Sequence, residues 1–198
     1  MQIGTVLDDG YIVAGEKGGR FFAVAPASKR VRLPFKLMEV KINNPEVRKP
    51  SEPADAGFSG EELTENIKKS QDNTYAGSAC EYCVQEGAVL PSLNELKIVR
   101  SNLEAIDAAD NSGGEYTLAL IRDNNAPPEL TEEQIAELES GKTLEELGIV
   151  MPEYITPYVW TSSNHSPRSQ WFITMYEGDD IASFRNMENW VVPIKYLD

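Results

Sequence analysis

The sequence predicts an α+β fold in which antiparallel strands gather at the two ends of the chain and helices lie between them. Three observations carry that reading. Runs of aromatic and β-branched residues occupy residues 11–25 and 158–194, and such residues suit a pleated, half-buried surface. Segments with helical spacing and capping signals fill residues 75–106 and 131–140. All three tryptophans, Trp160, Trp171 and Trp190, fall in the C-terminal run, inside apolar stretches that mark them as core.

From the N-terminus, Tyr11-Ile-Val-Ala-Gly-Glu16 and Arg20-Phe-Phe-Ala-Val-Ala25 read as a β-hairpin turning at Gly18-Gly19. Lys36-Leu-Met-Glu-Val-Lys41 reads as a third strand. Residues 43–60, with Pro45, Pro50 and Pro53, read as a loop or as an arm laid on a neighbouring subunit, because closely spaced prolines deny helix and sheet their hydrogen bonds. Ser59 to Thr74 reads as a polar tract. Ala76, Ala79, Cys80, Cys83 and Val84 then form one stripe of a helix, with Gly87 placed to end it in the left-handed conformation.

After the stop at Leu90-Pro91, Ser92-x-x-Glu95 fits a capping box, and Leu93, Leu96, Val99, Leu103 and Ile106 follow near helical spacing. Residues 111–157 read as an acidic insert with a short helix over 131–140, where Thr131 is the N-cap, Gln134 closes the box and Gly141 ends the helix. Thr143-Leu-Glu-Glu-Leu-Gly148 repeats the signal for one more turn.

The three tryptophan-bearing runs read as a meander of short antiparallel strands, broken at Ser163–Arg168, Glu177–Asp180 and Asn186–Asn189. Trp171, Ile173 and Met175 share one face of the middle strand and Phe172, Thr174 and Tyr176 the other, which predicts a central strand. Pro193 cannot donate to a ladder, so an edge or a bulge is expected there.

The order of these pieces resembles a known family. A cysteine-bearing helix, a Leu90-Pro91-Ser92-x-x-Glu95-Leu96 helix, a variable insert, a Trp160-x-Ser162-Ser163 strand, a Trp171 strand ending at Gly178 and a closing Val192-Pro193-Ile194 strand look like the DUF1566 domain, a C-type-lectin-like fold. The resemblance covers roughly residues 5–35 and 70–197, while the insert is longer and more acidic than the family pattern and Lys195 stands where that pattern closes on arginine. It implies one lectin-like domain over residues 1–198 whose N-terminal hairpin pairs with the strand over 191–196. It also implies that Pro91, Trp160, Trp171 and Gly178 are framework residues, not catalytic ones, and Trp190, inside its apolar run, reads as framework beside them. Such domains are frequent in bacterial adhesins and in tail or fibre proteins of bacteriophages.

At 198 residues the chain is long enough for one well-buried core. Its 18 Lys and Arg against 32 Asp and Glu give a net charge of -14, which repels phosphate backbones and argues against nucleic-acid binding. The same charge favours partners with basic faces. Neither a signal-peptide pattern nor a long apolar run is present, so no membrane insertion is expected and synthesis in a cytoplasm is.

Cys80 and Cys83 form a CxxC pair, but zinc wants four ligands and the chain adds only one histidine, His165. The pair reads as two reduced, buried core thiols; the rival is an enzyme related to the formylglycine-generating enzymes, whose cysteines do not sit at these positions. His165 reads as an exposed turn residue. Gly178-Asp179-Asp180 reads as a hairpin turn, without the ligand triplet that calcium-dependent lectins use, so no metal or cofactor is expected.

Asn164, His165, Arg168, Asp179, Asp180, Arg185 and Asn186 are the loop residues that could meet a ligand at one end of the sheet. The expectation is a non-enzymatic virion structural protein of a tailed bacteriophage, in tail, fibre or neck. It would be made in the host cytoplasm, form a homo-oligomer, contact other virion proteins and possess a surface that can touch a host glycan. The alternative is a decoration or connector protein that binds virion subunits only.

Overall fold

The computed structural model describes residues 1–35, 42, 44, 58–71, 78–123, 131–143, 146–148, 158–166, 169–175, 180–185 and 187–197. Its strands are β1 (Ile12–Lys17), β2 (Arg20–Val24), β3 (Val31–Pro34), β4 (Tyr158–Ser166), β5 (Ser169–Thr174), β6 (Asp180–Phe184), β7 (Glu188–Val191) and β8 (Ile194–Tyr196). Between β3 and β4 come α1 (Gly60–Gln71), α2 (Ala79–Gln85), α3 (Leu93–Ser101), α4 (Leu103–Ala109), α5 (Leu118–Asp123) and α6 (Glu132–Glu139). The fold is therefore mixed α+β, with a three-stranded sheet ordered β1-β2-β8 and a five-stranded sheet ordered β3-β7-β4-β5-β6.

The N-terminal hairpin forms where the sequence places it, with Lys17 opposite Arg20 across Gly18 and Gly19. Its second strand pairs with the C-terminus: Phe22 faces Tyr196 and Val24 faces Ile194. A few residues on, Val31 faces Val191 and Pro34 faces Glu188. Residues 20–34 and 188–196 thus make one antiparallel ribbon that turns a corner between the two sheets. Pro193 sits at that corner and spends its carbonyl on the Ala25 N–H at 2.8 Å. A residue without an N–H suits a point where one ladder ends and the next begins.

The ribbon corrects the expected meander. β4, β5 and β6 follow one another as antiparallel neighbours, but β7 crosses back to the far side of β4 and pairs with it in parallel through Val159 and Trp190. The reason is continuity: the strand that runs on into β8 beside β2 must lie beside β3. β5 is central, as its two-sided pattern requires, lying between β4 and β6. The expected third strand over 36–41 lies outside the described residues, and the strand observed next to it is β3.

Period-two alternation places a core on each face of the five-stranded sheet. Val159, Trp171, Ile173, Met175 and Trp190 point toward α3, α4 and α5 and the small sheet, joining Leu93, Leu96, Val99, Leu103 and Ile106. Trp160, Phe172 and Val191 point the other way, toward Ile67 of α1 and Cys80 and Cys83 of α2.

Two helices depart from the sequence reading. The tract expected to be merely polar contains α1, whose start is fixed by Ser59 and Glu62: the Ser59 N–H donates to Glu62 Oε2 at 2.9 Å and the Glu62 N–H to Ser59 Oγ at 3.2 Å. Leu63 and Ile67, one turn apart, are its buried stripe. The second is α5, inside the span read as insert, whose Leu118 and Ile121 belong to the main core. Thr117 Oγ1 accepts the Leu120 N–H at 3.0 Å, and from a distance Asp107 accepts the N–H groups of Leu118 at 2.9 Å and Ala119 at 2.6 Å. Most of the proline-rich span lies outside the described residues, but Ile42 and Asn44 are buried, and Asn44 donates to Leu63 O at 3.2 Å and Ser162 O at 3.1 Å. At that point the segment is bound to its own body.

Candidate functional site

Of the seven loop residues expected to meet a ligand at one end of the sheet, the structure describes the side chains of three: Asn164 and Arg185 are buried and His165 is half-buried. β4 continues through Ser166, with Asn164 opposite Gln170 and Ser166 opposite Ser169, so the break expected from Ser163 does not begin there. Asn164 is consequently buried, and its Oδ1 accepts a 2.6 Å hydrogen bond from Arg185, itself fully buried against the Phe35 ring. Burial lowers the Arg185 guanidinium to about 10, still protonated at neutral pH.

His165 is half-buried, with Nδ1 2.7 Å from Ser169 Oγ and its ring edge-on to Trp171 at 4.9 Å. Asp180 opens β6 opposite Ile173. Arg168, Asp179 and Asn186, and the framework residue Gly178, lie outside the described residues. Ser163 and Asn164, read as the start of a break, continue the buried strand from Thr161, whose backbone carbonyls are used internally: Gln170 Nε2 donates to Thr161 O and Ser163 O.

The described surface has instead a cleft of about 400 Å³ between the β1–β2 turn and the start of α1, lined by Lys17, Gly18, Arg20, Ser59, Glu61, Glu62 and Tyr196. Beneath it lies Glu95, the glutamate of the α3 capping box, with no exposed side-chain surface. The sequence identified Glu95 as a cap but not as a hub. Its Oε2 accepts the Ser92 N–H at 2.6 Å, as a capping box requires, and its Oε1 accepts the Gly60 N–H at 2.9 Å and the Tyr196 hydroxyl. Lys17 Nζ stands 3.7 Å away and donates to Phe58 O at 2.6 Å and Ser92 Oγ at 2.8 Å.

This one carboxylate therefore ties together β1, the start of α1, α3 and β8. Burial, and then the charge of Glu95, push the Tyr196 phenol well above its ordinary value, so it remains a donor. Gly60 is required by the close approach: a Cβ there would meet Glu95 Oε2 at 2.6 Å and Leu90 O at 2.8 Å. At the mouth Arg20 pairs with Glu61 at 2.7 Å and lies over the Tyr196 ring at 4.5 Å. The floor groups are occupied with one another, which is the chemistry of a fastening; the mouth offers a cation, carboxylates and an aromatic ring for hydrogen bonding.

The cysteine pair lies elsewhere, in the core between α2 and the large sheet. Cys80 and Cys83 are free thiols with no exposed surface, and burial, then the neighbouring Cys80, push the Cys83 thiol up. Among the described residues no group of three or more His, Cys, Asp or Glu is arranged to hold a metal ion. No helix among them is long and apolar enough to cross a membrane. Comparison of the chain with protein-family models, with curated proteins and with solved structures finds no match.

Proposed function

We propose that this chain is a non-enzymatic virion structural protein of a tailed bacteriophage, a lectin-like domain built into the tail, fibre or neck. The observation that carries the reading is that the two motifs of the family resemblance meet in space. The Ser162 N–H donates to Pro91 O at 2.7 Å, and the Leu93 N–H donates to Ser163 Oγ at 2.9 Å. Leu90, Ser92, Glu95, Leu96, Trp160, Trp171, Val192 and Ile194 are all buried, as framework residues should be.

A passive role fits a chain whose buried Glu95 cluster fastens strands and helices together. Such a domain acts by presenting loops on a rigid sheet, and many copies in one particle would turn weak contacts into avidity. The test is mass spectrometry of particles purified from the source host. The chain should be present at fixed stoichiometry with the other virion proteins, and its absence from intact particles would sink the proposal. A glycan array probed with the purified chain separates a receptor-binding subunit from one that touches virion proteins only.

A further inference from the structure

We infer that the groove where α3 and α4 meet α5 is a binding site for a small oxyanion, a ligand presenting a phosphate or carboxylate group. This goes beyond the framework role proposed above and does not depend on the virion setting. A cleft of about 350 Å³ is lined by Arg100, Ser101, Leu103, Arg122 and Met175. A second, of about 300 Å³, shares the first four of these residues and reaches Glu104. The two are neighbouring parts of one groove, and two arginines line both.

Each arginine occupies the last turn of its helix, Arg100 in α3 and Arg122 in α5, where a cation suits the exposed carbonyl ends. That accounts for one cation at either place. It does not account for two on the same cleft, because like charges side by side repel.

Arg100 carries the inference further. It is half-buried, and its Nε donates to the Met175 carbonyl at 3.3 Å, which holds the guanidinium in place. That bond uses a single donor of the fork, and among the described residues no carboxylate pairs with the rest. Lys17, Lys29, Arg30 and Lys195 are also partly or fully buried, and each has a carboxylate oxygen within 3.7 Å. In a chain of net charge -14, with carboxylates in excess, Arg100 is the exception. A charge withdrawn from water without a partner is costly, and a bound anion supplies the partner.

The side chains fix the ligand's class. Arginine's planar fork matches two oxygens of a carboxylate or a phosphate. Leu103 and Met175, both buried, form an apolar floor beside the cations, and the groove has room for a ligand larger than the bare ion. Glu104, exposed at the other end, repels an anion, so the acid group belongs at the Met175 end.

The test uses the full chain and two defined probes, inorganic phosphate and succinate, titrated by isothermal calorimetry at constant ionic strength set with chloride. At least one should saturate a single site; phosphate alone assigns a phosphoryl ligand and succinate alone a carboxylate one. Arg100→Gln and Arg122→Gln should each weaken binding about tenfold. Arg100→Lys, which keeps the charge but not the fork, should recover part of the loss, and Glu104→Gln should tighten binding. Arg32→Gln, which removes an exposed arginine on β3, should bind as the parent does. Melting curves without probe establish that each variant is folded, and the Arg122 and Glu104 variants keep the test open if Arg100→Gln is not. Equal weakening in Arg32→Gln would reduce the attraction to net charge. Unaltered binding in the folded Arg100 and Arg122 variants would place the anion elsewhere. Either result overturns the inference, as does no binding of either probe by the parent.

Discussion

Single residues in this protein carry consequences through what surrounds them, and Glu95 is the clearest case. Its carboxylate is buried beneath four partners from different parts of the chain. Removing it strands the Ser92 and Gly60 N–H groups, the Tyr196 hydroxyl and the Lys17 ammonium together. Glu95→Ala should cost about 3–5 kcal/mol, the range for breaking a buried ion pair from one side, read from denaturant unfolding. Trp171→Ala removes a large aromatic that is 4% exposed in the central strand and should cost about 3–5 kcal/mol. An unchanged unfolding midpoint in either variant would contradict the core assigned here. The indole of Trp171 was legible from strand alternation alone. The hub role of Glu95 was not, because its partners lie at residues 17, 60 and 196, and only the folded chain brings them together.

Elements follow local chemistry more faithfully. Ser92 and Glu95 form the capping box that their spacing announces, and Gly87 ends α2 in the left-handed conformation, with φ of 64°. The same signal starts α1 at Ser59 and Glu62, where a polar composition hid a two-residue apolar stripe. α5 carries only half of that signal: Thr117 Oγ1 accepts the Leu120 N–H at 3.0 Å, but no Glu or Gln stands at 120 to close a box, and Asp107 from the preceding helix meets the Leu118 and Ala119 N–H groups. The α2 element has its own prediction. With both thiols buried and the Cys83 thiol pushed up by burial and by Cys80, a thiol-specific alkylating reagent should leave Cys80 and Cys83 unmodified in the native protein. Both should react fully in denaturant, as followed by intact mass. Fast native-state labelling would reopen the catalytic reading of the pair.

For the whole molecule, the ribbon of residues 20–34 against 188–196 closes the chain on itself, and its corner is held by Arg30. That guanidinium, 3% exposed, bonds Ala25 O and Tyr116 O and pairs with Asp107 at 3.6 Å and Asp110 at 3.5 Å. Burial alone would raise the Asp110 carboxyl, but hydrogen bonds from Ser112 and the Ala27 N–H, with the Arg30 charge, outweigh it and hold its pKa below the ordinary value. A depressed folded-state pKa means stability that is present above the unfolded value, near 3.9, and lost as pH falls through the folded one. The melting temperature should therefore drop as pH falls below about 4, and Asp110→Asn should flatten that drop; an unchanged acid profile in the variant would remove the corner from the account. Deleting residues 194–198 should abolish cooperative unfolding, because it removes β8 and the Tyr196 contact to Glu95 together.

By itself the sequence determined the mixed class, the N-terminal hairpin, the cap and stripe of α3 and the two-sided central strand, because each depends on neighbours a few positions away. Tertiary structure alone decided that β7 crosses to pair with β4, that Asn164 and Arg185 turn inward, and that Glu95 joins four parts of the chain. Those outcomes rest on contacts between residues far apart in sequence, and no local spacing encodes which distant donor a buried carboxylate or carbonyl will meet.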